Sequence, residues 1–166
     1  IHNGLDIAEF EKNANKKCEL KLAADKIKVA MLGGINPWKK QKEFIEVANK
    51  LQKKRKDIIF YVVGGIVVES YYRELRKIVN DSEYSMNIIF TGQLQNTAAF
   101  LKKIDIMLHT MPYESFGRVF IEAMAAKIPV ITFNSGGAKD IVKHNETGLL
   151  VEPRNIDGMA KAVLSM

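Results

Sequence analysis

The stretch Pro112-Tyr113-Glu114-Ser115-Phe116-Gly117-Arg118-Val119-Phe120-Ile121-Glu122-Ala123-Met124-Ala125-Ala126 lies between two short apolar runs. Ile104-Asp105-Ile106-Met107-Leu108 precedes it and Ile128-Pro129-Val130-Ile131-Thr132 follows it. Runs of that length without polar alternation read as parallel strands buried on both faces. Between them, Val119 to Lys127 is a series of good helix formers. The segment is therefore a strand, a loop, a helix and a strand. Its loop and helix start sit at the carboxyl end of a strand, where open α/β sheets bind ligands. A helix beginning near Gly117 offers free N–H groups and a partial positive charge to an anion. Gly117 places no side chain between that anion and the backbone.

Two acids stand eight positions apart in this stretch. Glu114 precedes the helix and faces a ligand's polar end; Glu122 lies inside it, one turn after Arg118 and on the same face. Either glutamate alone reads equally well as an ordinary solvated residue. Together they leave carboxylates to accept hydroxyl hydrogen bonds on either side of a phosphate held by amides. A nucleotide sugar, with a diphosphate between two sugars, has that layout. The run resembles the E-x7-E segment of the retaining nucleotide-sugar glycosyltransferases of the group 1 (family 4) type, whose GT-B architecture joins two Rossmann-like domains. The resemblance implies that Glu114 contacts the donor sugar's hydroxyls and Glu122 the ribose. It also implies that Phe116, Gly117, Arg118 and Val119 line the diphosphate, the last three through their amides.

Working outward toward the N-terminus, Ile27-Lys28-Val29-Ala30-Met31-Leu32 reads as a first strand ending at Gly33-Gly34. Asn36-Pro37-Trp38-Lys39-Lys40-Gln41 follows, then a helix with Phe44, Ile45, Val47, Ala48 and Leu51 on its apolar face. A glycine-ended strand, a loop with lysines and a helix make a plausible phosphate cradle, though many α/β units begin this way. The loop resembles the family's glycine-arginine-apolar-x-proline-x-lysine-glycine segment, in which the arginine and lysine neutralise the diphosphate. Gly33 and Lys39 fall on its first glycine and its lysine, and Lys39 joins Glu114 as an implied catalytic residue. Gly34 stands where the family has arginine, and Lys40 where it has the last glycine. Arg118, in the first turn of its helix, is the expected substitute cation, with Lys40 the second choice.

Asp57 to Gly65 reads as a second strand, with a helix from Tyr71 to Asp81, and Met86 to Gly92 as a third. Gln93 and Leu94 match the family position whose backbone meets the nucleobase. Thr97 to Lys103 is a short helix leading into the Asp105 strand, and His109 at that strand's end reads as a packed histidine or a base. Asn134-Ser135-Gly136-Gly137 opens a helix of about one and a half turns to Lys143. Leu149-Leu150-Val151 is the last strand, and a helix starts at Asn155. Asn3-Gly4-Leu5-Asp6 resembles the linker that follows the first GT-B domain. Residues 1–25 read as that linker and a lysine-rich, weakly helical connector, and 26–166 as the nucleotide-sugar-binding domain.

At 166 residues the chain is one domain by length and buries roughly 70% of its unfolded surface. With 47% apolar and 27% charged residues it falls outside the disordered class. One cysteine, Cys18, excludes an internal disulfide and suits a reducing compartment. A net charge of +6 favours anionic partners. The run Lys50, Lys53, Lys54, Arg55 and Lys56 complements a helix C-terminus. Without interleaved aromatics it gives no stacking platform for nucleic acid.

Six strands alternating with helices over short connections imply an all-parallel, doubly wound sheet of order 3-2-1-4-5-6. The cleft then falls between strands one and four, where the Lys39 loop meets Glu114 and Glu122. The resemblance implies the C-terminal, donor-binding half of a retaining glycosyltransferase with a nucleotide-diphosphate sugar as substrate and neither cofactor nor metal. Its acceptor would be a polysaccharide or a lipid-linked sugar. A first residue other than methionine points to a fragment, with an N-terminal domain elsewhere in the chain. The absence of a spanning run and of a leader points to a cytoplasmic protein, peripheral to the membrane at most. A nonhydrolysing nucleotide-sugar epimerase and a non-catalytic nucleotide-binding module remain open alternatives.

Overall fold

The computed structural model describes residues 4–166. Six strands form one sheet: β1 (Ile27–Leu32), β2 (Ile58–Val63), β3 (Ile88–Gly92), β4 (Ile106–His109), β5 (Val130–Phe133) and β6 (Gly148–Val151). Their order is β3-β2-β1-β4-β5-β6, and every neighbouring pair is parallel. This is the doubly wound Rossmann-like order that the alternation of apolar runs implies. β1 and β2 share six register pairs, whereas β1 and β4 share only two, Val29–Ile106 and Ala30–Met107.

Both faces of the sheet are covered, which is why the strands carry no polar alternation. β2 is buried at all six positions. Val29 and Met31 of β1 and Ile58, Phe60 and Val62 of β2 enter one apolar cluster, with α2 (Gln41–Gln52), α3 (Glu69–Asn80) and α7 (Ile156–Leu164). The intervening residues Ala30, Leu32, Ile59, Tyr61 and Val63 enter the other. That second cluster takes in α1 (Ile7–Ala14), α4 (Thr97–Leu101), α5 (Arg118–Ala125) and α6 (Ala138–Ile141). The loops after β1 and β4 therefore leave to opposite faces, and a crevice opens between them. α6 (Ala138–Ile141) stops two residues short of the expected Lys143, because Val142 turns extended at ψ 118°.

The segment read as linker and connector is folded onto the body. Asp6 caps α1 by accepting from the Glu9 amide at 3.0 Å, and α1 packs against α4 and α5. Phe10 and Cys18 are buried in the second cluster. The weak helical character of the segment is realised as α1, but one large buried anchor, Phe10, among charged and polar residues gives too little periodicity to show that it packs on the body. Ile1, His2 and Asn3, which carry part of the linker resemblance, lie outside the described residues. If α1 belongs to the domain, Phe10→Ala costs about 3–5 kcal/mol, the usual range for emptying a buried aromatic site. A urea titration checks this: a change within about 0.5 kcal/mol, typical of a surface substitution, would mean that α1 is detached.

Candidate functional site

The crevice floor is set by two glycines at the ends of β1 and β2. A Cβ on Gly64 would stand 2.1 Å from the Gly33 carbonyl oxygen, and Gly64 has φ +150°, so no other residue fits there. Beyond them an Ile35–Ile66 bridge carries the pairing on. The chain then makes a 3-10 turn, Pro37–Lys39, capped by Asn36, whose side chain accepts from the amides of Trp38 and Lys39 at 3.0 and 3.2 Å. Lys40 follows in the left-handed region at φ 60°, and its carbonyl accepts from the Thr110 hydroxyl at 2.8 Å. That bond ties the β1 loop to the end of β4.

This turn aims Lys39 across the crevice. Its stem runs over Gly33, 3.5 Å from where a Cβ there would lie, and Nζ donates to Oε2 of Glu114 at 2.9 Å. The side chain of Glu114 is 13% exposed, and its carbonyl accepts from the Gly137 amide at 2.8 Å. A second donor addresses the same oxygen: Nε2 of His109 stands 3.3 Å from Oε2, off the line of a hydrogen bond. His109 is 1% exposed and stacks edge-on against Phe120 with ring centroids 5.0 Å apart. Burial keeps its pKa below the ordinary value, so it is neutral at pH 7. A buried donor without an aligned partner costs about 1–3 kcal/mol.

Gly117 caps α5 in the left-handed region at φ +73°, and a Cβ there would lie 2.3 Å from the Phe120 ring. The need for glycine is thus first one of packing and of backbone conformation. Phe120 donates its amide back to the Gly117 carbonyl at 2.8 Å, which leaves the amides of Arg118 and Val119 as the open donors of the first turn. Arg118 pairs with Glu122, Nε to Oε1 at 3.1 Å. Glu122 is largely buried, and burial pushes its carboxyl above the ordinary value against the pull of Arg118. Both acids of the motif are therefore already matched by a cation.

A cleft of about 500 Å³ brings together Gly33, Gln93, Leu94, Val119 and Glu122. Lys39 and Glu114 lie at its Gly33 end, outside that lining, and Phe116 is half-buried in the loop beside them. A second hollow of about 440 Å³ lies on the far side of Glu122, between α1 and the start of α4. Neither substitute cation is free. Arg118 is engaged by Glu122, and Lys40 Nζ lies 3.7 Å from Glu43. Gly34 has a physical reason: a Cβ there would meet Cγ2 of Val67 at 2.8 Å. Val67, on the loop after β2, also lines the cleft with Ile66. Sequence reading missed both residues, because an apolar pair after a glycine pair carries no chemical signal.

Glu114 is held down to about 2 from an ordinary 4.5, first by His109, then by Lys39, against the effect of burial. Its folded value lies below its unfolded one. It therefore adds stability that is fully present above about pH 4.5 and is lost as pH falls toward 2. Glu114→Gln should accordingly lower the urea midpoint at pH 7, with the gap to wild type closing by about pH 2–3. Equal midpoints at both pH values would mean that the carboxylate is not held in this way.

A family profile described as glycosyl transferases group 1 matches residues 12–166. Over 98% of its length the chain is 30% identical to the GDP-mannose-dependent alpha-(1-6)-phosphatidylinositol monomannoside mannosyltransferase of Mycobacterium tuberculosis, covering 45% of that protein. It is similar to the crystal structure of HepE from Anabaena in complex with UDP and glucose, with TM-score 0.80 and 25% identity. That match covers 86% of this chain and 39% of HepE. It is also similar to the crystal structure of the C-terminal domain of the group 1 family protein LpcC from Francisella tularensis. There the TM-score is 0.76 and the identity 28%, covering 84% of this chain and 74% of the other. The chain thus spans under half the length of the curated mannosyltransferase and nearly three quarters of an isolated C-terminal domain. Among the described residues no helix is long and apolar enough to cross a membrane.

Proposed function

The chain belongs to the glycosyl transferases group 1, with the Rossmann-like fold of a C-terminal GT-B half, and on that footing we propose that it is the donor-binding domain of a retaining glycosyltransferase. It binds a nucleotide-diphosphate sugar in the β1–β4 crevice. The observation that supports this most is two ion pairs at the crevice: Lys39–Glu114, with the lysine stem over Gly33 at one end of the cleft, and Arg118–Glu122, whose carboxylate lines it. Each couples a cation suited to a phosphate with a carboxylate suited to sugar hydroxyls.

In this reading Glu114 takes the hydroxyls of the transferred sugar and Glu122 those of the ribose. The base lies by the backbone of Gln93 and Leu94. The diphosphate sits against Gly33, Phe116 and the open amides of Arg118 and Val119 at the start of α5. When the glycosidic bond breaks, negative charge grows on the departing diphosphate. Lys39 and the helix N-terminus are the groups here that stabilise it. The acceptor, a polysaccharide or a lipid-linked sugar, approaches from a further N-terminal domain, in a protein working in the cytoplasm or at a membrane surface.

Calorimetry with nucleoside diphosphates and monophosphates tests the donor site: the diphosphates should bind more tightly. Glu122→Ala should weaken that binding by about 1.5–3 kcal/mol, the size of a hydrogen bond to a charged group. It should leave folding nearly unchanged, since alanine is a good helix former. Equal binding by both proteins would remove Glu122 from the site. The 166-residue chain should transfer no sugar by itself, and sustained transfer would overturn the two-domain reading. In a longer protein that does transfer, the anomeric configuration of the product, read by NMR, decides between retention and inversion.

A further inference from the structure

One of the buried polar atoms left without a partner belongs to a residue given no role in the donor site above. Nε2 of His109 is buried without an aligned acceptor, in a residue 1% exposed. The other buried polar group alongside is the hydroxyl of Thr132, which is paired in register with His109 and is itself unpartnered. The acceptor within reach is Oε2 of Glu114, at 3.3 Å, and Lys39 already occupies that oxygen at 2.9 Å. Both donors address the same oxygen, and of the two only the lysine is aligned with it as the carboxylate now stands.

We propose that His109 is a positioning residue that takes over Oε2 of Glu114 when a bound phosphate draws Lys39 away, so that Oε1 stays presented to the ligand's hydroxyls. This rests on the donor-site reading given above. Lys39 is the movable partner: its side chain, a flexible stem ending in the ammonium, is 29% exposed. His109 is the fixed one, locked in β4 and stacked on Phe120 of α5. Once Lys39 turns to the phosphate, a small rotation of the Glu114 carboxylate aligns it with Nε2–H. That satisfies the buried donor and keeps the carboxylate ionised without a counter-ion. The neutral imidazole suits this role, since it donates one hydrogen without needing a proton from solvent.

The titratable groups that face Glu114 are the neutral His109 from β4 and the charged Lys39 from the turn after β1. From the loop before α6 it meets backbone at Gly136 and Gly137. His109 is faced by Glu114, by the more distant charge of Lys39 and by the uncharged ring of Phe120. A change in the titration of Glu114 on altering His109 comes from the lost donor or from a shift of Lys39, and restoring an N–H at position 109 separates the two.

The test is a carbon-13 NMR titration of the Glu114 carboxyl, assigned with Glu114→Gln, in wild type, His109→Phe and His109→Gln. Each protein is measured alone and saturated with UDP or GDP, whichever calorimetry shows to bind. Phenylalanine keeps the packing on Phe120 but offers no donor, while glutamine restores an N–H. Wild-type Glu114 should titrate below its ordinary value with and without nucleotide. In His109→Phe the midpoint should rise by about one pH unit, the equivalent of one lost contact to the charged form, and by more when nucleotide is bound. His109→Gln should return it toward wild type. If wild type binds nucleotide and His109→Phe titrates as wild type does in both states, the positioning role is wrong and the donor site stands. If wild type binds neither nucleotide, the donor site falls and this inference falls with it.

Discussion

The reversal of strand order between β1 and β4 is the constraint on which the rest depends. Every strand of a parallel sheet ends on the same edge, and every crossover must return over one face or the other. Here the chain leaves β1 toward α2 and leaves β4 toward α5, on opposite faces. Only two register pairs hold those strands together. The crevice is thus a consequence of topology, and its two walls come from segments 75 residues apart, as the Lys39–Glu114 bond shows. Gly33 and Gly64 keep its floor at backbone level, while Thr110 ties the walls together through the Lys40 carbonyl.

The sheet was legible in the sequence because burial on both faces writes itself as unbroken apolar runs. Ile58-Ile59-Phe60-Tyr61-Val62-Val63 has no other reading. Glu114 and Glu122 were legible as a spacing, and the structure sets both against cations at the crevice. What the spacing does not carry is the partner of each acid. That Lys39 would choose Glu114 depends on the left-handed turn at Lys40, a conformation with no signature in a lysine. The absence of a side chain at position 34 was visible, but its cause was not. Val67 fills that space from another loop, and such contacts are made only once the sheet brings β1 and β2 together.

His109 and α1 show two further limits of sequence. A histidine closing an apolar strand is ambiguous because burial and catalysis use the same residue. Its meaning here comes from one oxygen of Glu114 and one edge of Phe120, both set by the loop between β4 and α5. The helix α1 fails for the opposite reason. Its composition resembles a solvated connector, and its single anchor, Phe10, buries against α4 and α5. A weak local helical propensity was realised, but the tertiary contact that docks the helix lies in no window of sequence.

If the donor-site reading proposed above holds, a cleft whose charges are already paired selects its ligand by exchange. Pulling Lys39 or Arg118 toward a phosphate gains one charge-assisted contact and breaks another, so the net gain from phosphate alone is small. It leaves Glu114 and Glu122, both largely buried, short of a partner, and an unpartnered buried charge is costly. A ligand that brings hydroxyls together with its phosphates repairs that loss in the same step. A free sugar fails from the other side, because it offers the carboxylates hydroxyls while the lysine and arginine still hold them. In that reading a molecule carrying both groups replaces what it displaces. The specificity of such a site lies less in any one contact than in the cost of an incomplete exchange.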